Sequence, residues 1–139
     1  WWKDTGKPQD LLEGNSLVLR DLATDIQGEV DESASIEGHV KIGRGTTIGP
    51  GVKLRGPLVI GENTTIEDAY IGPYTSIGND VVVRKAEIDH AIIMDGVSIE
   101  TDRRIVDSLL GAKSRVEPKQ TTKPAGHQLV IGDHTLVQL

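Results

Sequence analysis

Sixteen aliphatic residues recur along this chain at steps of five or six: Val30, Ile36, Ile42, Ile48, Leu54, Ile60, Ile66, Ile71, Ile77, Val83, Ile88, Ile93, Ile99, Ile105, Leu110 and Val116. Of the fifteen intervals, eleven are six residues and four are five. A helix cannot use this period. At 100° per residue a six-residue step turns about 600°, so successive rungs scatter over different faces. Short strands separated by corners use it naturally. Glycine follows the rung in Ile42-Gly43, Ile48-Gly49, Ile60-Gly61, Ile71-Gly72 and Ile77-Gly78, where a corner is needed. A small or aliphatic residue comes four after the rung at Ala34, Val40, Thr46, Val52, Thr64, Thr75, Val81 and Val97. Three such edges close a triangular coil of about 18 residues, and coils stack at about 4.8 Å, which predicts a little over five coils in a prism ~25 Å tall.

Composition agrees with that core. There is no Phe, and both tryptophans are at positions 1 and 2, so everything from Lys3 onward packs with Ile, Val and Leu. There is no cysteine, which excludes disulfides, thiolate metal sites and cysteine nucleophiles. The formal net charge of -6 makes a nucleic-acid partner a poor expectation. No apolar run approaches the ~18 residues of a membrane span, so no membrane partner and a cytoplasmic location are expected. The only methionine is Met94, and the chain reads as part of something longer.

Residues 1–7 precede a segment, 8–29, that reads as a helix and connector. Pro8 lies in the first helical turn, with Leu11, Val18 and Leu22 on one row and Leu12 and Leu19 on the next. The ladder occupies 30–116. From 117 to 139 a polar stretch with Pro118, Pro124 and Gly126 leads to Leu129-Val130-Ile131-Gly132-Asp133-His134-Thr135-Leu136-Val137. Ile131 and Val137 are again six apart, so this tail is either one more rung or a strand capping an open sheet end.

The hexads, cleanest in Ile42-Gly43-Arg44-Gly45-Thr46-Thr47 and Ile60-Gly61-Glu62-Asn63-Thr64-Thr65, resemble the hexapeptide repeats of left-handed parallel β-helices. The handedness is an implication of that resemblance, since parallel crossovers are otherwise right-handed. The expected fold is all-β: a left-handed parallel β-helix preceded by one short α-helix. Trp2-Lys3-Asp4-Thr5-Gly6-Lys7-Pro8-Gln9-Asp10-Leu11-Leu12 is similar to the end of the catalytic domain in sugar-phosphate nucleotidyltransferases. The segments Tyr70–Gly78, Asp102–Gly111 and Leu129–His134 resemble the C-terminal β-helix of the long-form glucose-1-phosphate thymidylyltransferase family. Lys7 and Gln9 depart from that family's usual Thr and Glu.

The resemblance implies a parent enzyme that joins dTTP and glucose 1-phosphate into dTDP-glucose and pyrophosphate, with Mg²⁺ neutralising phosphate charge. It implies that Asp4, in Asp-Thr-Gly, helps hold Mg²⁺ once the catalytic domain is present. A hard cation suits such a carboxylate; read without the family, Asp4 organises a turn. The family's nucleotide-binding glycine-rich loop lies in a domain this chain does not contain, and Gly43-Arg44-Gly45-Thr46 is explained by the repeat alone. No catalytic or cofactor-binding residue is therefore expected here, and the fragment alone is expected to be inactive.

Two other functions compete. Many hexapeptide-repeat proteins transfer acyl groups from acetyl-CoA with a histidine base, and His90, two after a rung, is the candidate. His39, His127 and His134 read more simply as corner, excursion and turn residues. The ladder extrudes no loop to wall a substrate cleft, which argues against this chemistry. A zinc hydratase needs three convergent imidazoles, and His39 and His90 have no short-spaced partner. The remaining class is an assembly module. Flat solenoid faces suit side-by-side packing in a closed homo-oligomer, with a trimer favoured, and Tyr70 and Tyr74, the only aromatics in the prism, are its interface candidates. Arg103 and Arg104 read as a salt-bridged surface with Asp102 and Asp107.

Overall fold

The computed structural model describes residues 7–118, 129–134 and 136–138. Among these residues one helix, α1 (Pro8–Leu19), leads into fifteen short strands. Every strand pair is parallel, and each rung stacks on the rung 16 to 18 positions away, as Ile42 does on Ile60, Ile66 on Val83 and Leu54 on Ile71. The chain is a left-handed parallel β-helix of about five turns.

Three faces make the prism. Face 1 comprises β1 (Asp25–Ile26), β4 (Val40–Ile42), β7 (Leu58–Ile60), β10 (Thr75–Ile77) and the C-terminal halves of β12 (Glu87–Ile93) and β14 (Arg104–Leu110). Face 2 comprises β2 (Glu29–Val30), β5 (Thr47–Ile48), β8 (Thr65–Glu67), β11 (Val82–Arg84), β13 (Ser98–Glu100) and β15 (Arg115–Val116). Face 3 comprises β3 (Ser35–Glu37), β6 (Lys53–Arg55), β9 (Tyr70–Ile71) and the N-terminal halves of β12 and β14. The long strands β12 and β14 run through the corner from face 3 to face 1, which joins those faces into one nine-stranded sheet.

The alternating pattern of a strand explains the core. In β4 the inward Val40 and Ile42 are buried and Lys41 between them is exposed. Rungs from Ile42 to Ile99 are fully enclosed, whereas Val30 and Ile36 at one end and Ile105, Leu110 and Val116 at the other are partly buried against them. Ile26 is a further rung, stacked on Ile42. Its four-residue step to Val30 breaks the hexad, so the periodicity misses it.

The shortened steps have a physical reading. After Ile66, Val83 and Ile88 the second inward residue comes three positions on, at Ala69, Ala86 and Ala91, all buried. A corner one residue shorter brings the backbone inward and suits a small side chain, as Ser108, stacked on Ala91, also shows after Ile105. Elsewhere that position carries Thr46, Thr64 and Thr75, also buried. Glycine after a rung answers a close approach between coils. A Cβ on Gly61 would lie 2.3 Å from Asn79 Oδ1, and one on Gly78 would lie 2.3 Å from Asp95 Oδ1. Those oxygens are fixed because Asn79 Oδ1 accepts from Glu62 N and Asp95 Oδ1 from Asn79 N, both at 2.8 Å.

Helix α1 starts at Pro8, with the Asp10 carboxylate accepting from Lys7 N at 3.3 Å. It packs against β10, β12 and β14 on face 1. Leu12 and Leu19 are buried there, but Val18 is 76% exposed, so the row Leu11–Val18–Leu22 does not form the contact. Asn15 turns this face polar at its centre and fixes the docking. Within the 8–29 segment the helix stops at Leu19. Over the tail, for which the sequence leaves one more rung or a capping strand open, the described residues 129–134 and 136–138 carry a turn at Asp133–His134 and leave Val130 93% exposed.

Candidate functional site

Three places on the prism gather the side chains singled out by the sequence. The first is the corner from face 3 to face 1, where the stacking of Val40, Leu58, Thr75, Ala91 and Ser108 sets Pro57, Tyr74, His90 and Asp107 in line. Tyr74, His90 and Asp107 have φ of 61°, 48° and 52°, the left-handed conformation that bends the strand around the corner. His90 Nδ1 lies 2.5 Å from Asp107 Oδ1. Asp107 thus pairs with a residue one coil away rather than with Arg103 or Arg104. The imidazole is partly exposed and has one ring nitrogen oriented by a carboxylate, an arrangement able to accept a proton at Nε2.

Beside it, α1 is tied to the same corner. Asn15 Nδ2 donates to the Tyr74 carbonyl at 3.4 Å, and Ser76 Oγ donates to Asn15 Oδ1 at 2.6 Å. Tyr74 therefore serves the helix–prism junction, through its backbone. His39, farther along the prism, shares a hydrogen with Thr24 Oγ1 at 3.2 Å in the connector, and His134 holds a turn with φ of 61°.

The second place is an open groove of about 350 Å³ at the corner from face 2 to face 3. Lys53, Asp68, Tyr70, Lys85, Glu87 and Asp102 line it. Charges of both signs alternate, and His90 is not among the lining residues. Tyr70 lies flat on its own strand: its hydroxyl is 3.0 Å from where a Cβ on Gly72 would stand, so the missing side chain makes room for the ring.

The third is the charged surface of faces 2 and 3, where ion pairs join successive coils. Arg104 pairs with Asp89, Arg55 with Glu37 at 3.7 Å and Arg84 with Glu67 at 3.7 Å. The expected partners of Arg104 were its sequence neighbours Asp102 and Asp107. Stacking by 16 to 18 residues decides otherwise, because on a parallel solenoid the nearest outward side chain belongs to the next coil. That spacing is the signal that identifies His90–Asp107, 17 residues apart, in the sequence; Asp89–Arg104, 15 apart, is a diagonal pair, since Arg104 stands in register with Glu87.

Asp4 and His127 lie outside the described residues. Among the described residues no group of three or more His, Asp or Glu is placed to hold a metal ion. No described helix is long and apolar enough to cross a membrane.

A triangular prism of stacked hexads, with ion pairs between coils and a helix docked on one face, defines the class: a hexapeptide-repeat β-helix domain. Residues 39–68 match the bacterial transferase hexapeptide model of six repeats, and residues 54–138 match the GMPPB C-terminal domain model. The second match covers more than half of the chain, which belongs to the GMPPB C-terminal domain family. The whole chain is 37% identical to a glucose-1-phosphate thymidylyltransferase of Streptomyces antibioticus and covers 38% of it. It is 38% identical to the low-salt glycan biosynthesis nucleotidyltransferase Agl11 of Haloferax volcanii, again over the full chain and 39% of the relative. Over 80% of the chain it is 36% identical to the bifunctional protein GlmU of Methanococcus aeolicus, covering 28% of that protein. The chain thus spans less than two fifths of the length of these curated relatives.

Proposed function

We propose that this chain is the C-terminal assembly domain of a cytoplasmic glucose-1-phosphate thymidylyltransferase, the enzyme that makes dTDP-glucose and pyrophosphate from dTTP and glucose 1-phosphate. The carrying observation is that the two thymidylyl- and nucleotidyltransferase relatives match over every residue of the chain, including 1–29, before the first regular rung. The helix–prism junction supports the same reading. Asn15 bonds to Tyr74 and Ser76, which ties α1 to the β-helix at the point where a preceding catalytic domain would join. The chain's role is to position catalytic domains, and its prisms associate as a homotrimer with Tyr70 and Tyr74 as interface candidates.

Asp4 is proposed as one Mg²⁺ carboxylate in the parent, where the ion would neutralise phosphate charge. The described residues add no further metal ligands, and the groups that read base and sugar belong to the preceding domain. Acetyl-CoA-dependent acyl transfer is the weaker reading, because the oriented imidazole of His90 and the groove lined by Tyr70 belong to different corners.

The test uses the parent enzyme with and without this domain. Release of pyrophosphate from dTTP and glucose 1-phosphate by the intact protein is expected. Titrating the isolated chain with acetyl-CoA is expected to give no saturable heat. Micromolar binding lost on His90→Ala would replace the assembly reading with acyl transfer.

A further inference from the structure

Each passage from face 1 to face 2 has one form: a rung, two residues leading into the corner, a corner residue in the left-handed region, an inward small residue, an outward residue and the next rung. The corner residue, three after the rung, is Gly45, Asn63, Asp80, Gly96 and Lys113 in successive coils, with φ between 54° and 75°. Ile131-Gly132-Asp133-His134-Thr135-Leu136-Val137 repeats the pattern in sequence, and His134, three after Ile131, has φ of 61°. The tail is already bent as a face 1 to face 2 corner. It is not docked as one, for the two residues at rung positions, Ile131 and Val137, are 55% and 36% exposed.

The end of the prism lacks what such a corner would supply. In four successive coils the residue after the face 1 rung donates to the rung carbonyl of the next coil: Gly43 to Ile60, Gly61 to Ile77, Gly78 to Ile93 and Met94 to Leu110, at 2.8–3.0 Å. Gly111 is next in that series. In the opposite sense the left-handed residue donates to the preceding coil, as Asn63 does to Arg44, Asp80 to Glu62, Gly96 to Asn79 and Lys113 to Asp95, at 2.9–3.0 Å. His134 is next, and the Ala112 carbonyl is its counterpart. The rungs there, Leu110 and Val116, are only partly buried.

We propose that residues 130–137 close this open end as a further coil of the same chain, with Ile131 over Leu110, His134 over Lys113 and Val137 over Val116. One offset of 21 residues satisfies all three pairings. The connection suits the same chain: from a face 2 rung to the following face 1 rung the fold uses 10 to 12 residues, and Val116 to Ile131 provides 15. The surplus lies in the polar stretch after Glu117, which has no aliphatic rung for face 3. The family match, which runs to residue 138, includes the segment. Docked, it covers an apolar edge on which a second prism would otherwise stack.

Methyl NOE measurements on the full chain, with a mixture of differently labelled chains, test this. The expected result is Leu110–Ile131 and Val116–Val137 contacts within one chain. Exchange of the Gly111 amide should accelerate at least about tenfold in Ile131→Asp and stay slow in Ile131→Val. Absence of those contacts together with unchanged Gly111 exchange in Ile131→Asp would overturn the proposal, and contacts only between differently labelled chains would overturn its same-chain arrangement.

Discussion

Thr64 and Thr75 are equally buried, yet their hydroxyls have opposite standing. Thr64 Oγ1 donates to the Gly78 carbonyl at 2.9 Å and accepts from Val81 N at 3.2 Å, so it completes the backbone of the next corner. Thr75 Oγ1 has no partner among the described residues. Replacing Thr64 with Val strands a buried N–H and should cost about 1–3 kcal/mol, whereas Thr75→Val should be neutral or stabilising. Urea unfolding of the two variants side by side checks this contrast. Gly61→Ala forces a methyl against Asn79 Oδ1 and the Gly78 carbonyl, and should cost roughly 1–3 kcal/mol. A milder effect belongs to Asp31, whose carboxylate accepts from Ser33 Oγ at 2.5 Å and Ser33 N at 2.9 Å. The Ser33 hydroxyl, and then its amide, hold the Asp31 carboxyl below its ordinary value. A depressed carboxylate stabilises the fold above the unfolded-state value and loses that contribution as pH falls through the folded one. Carboxyl NMR titration should show Asp31 moving up toward the ordinary range in Ser33→Ala.

Among the elements, α1 and the ladder differ in how far the sequence disclosed them. The rungs were legible because a period of five or six survives every local variation, and all sixteen lie in the core or packed against it. The docking face of α1 was only half legible. Leu12 and Leu19 are buried as their spacing requires, but Asn15 and Ser16 occupy the line between them, and polar residues carry no periodic apolar signal. His90–Asp107 was hidden for a related reason: each residue sits in a shortened corner, and only the stacking offset brings them together. Asn15→Ala removes two hydrogen bonds, at about 1 kcal/mol each, and should loosen the helix without unfolding the coils. Amide exchange across α1 should quicken while that of Ile66 and Val83 stays slow. Leu19→Ala should cost about 2–5 kcal/mol by opening a cavity between helix and sheet.

At the scale of the whole molecule, the prism is nearly one-dimensional, since each coil touches only its neighbours. Ile66, enclosed by coils on both sides, should lose about 2–5 kcal/mol on substitution by Ala; Ile36, partly exposed at one end, should lose only roughly 1–2 kcal/mol. Such a rod has flat sides and one face taken by α1, so its free faces are available for association with further copies. The account turns on that association. Light scattering of the purified chain measures it directly: a mass of three chains, unchanged on dilution, is the expected result. A well-folded monomer at all concentrations would contradict the assembly role.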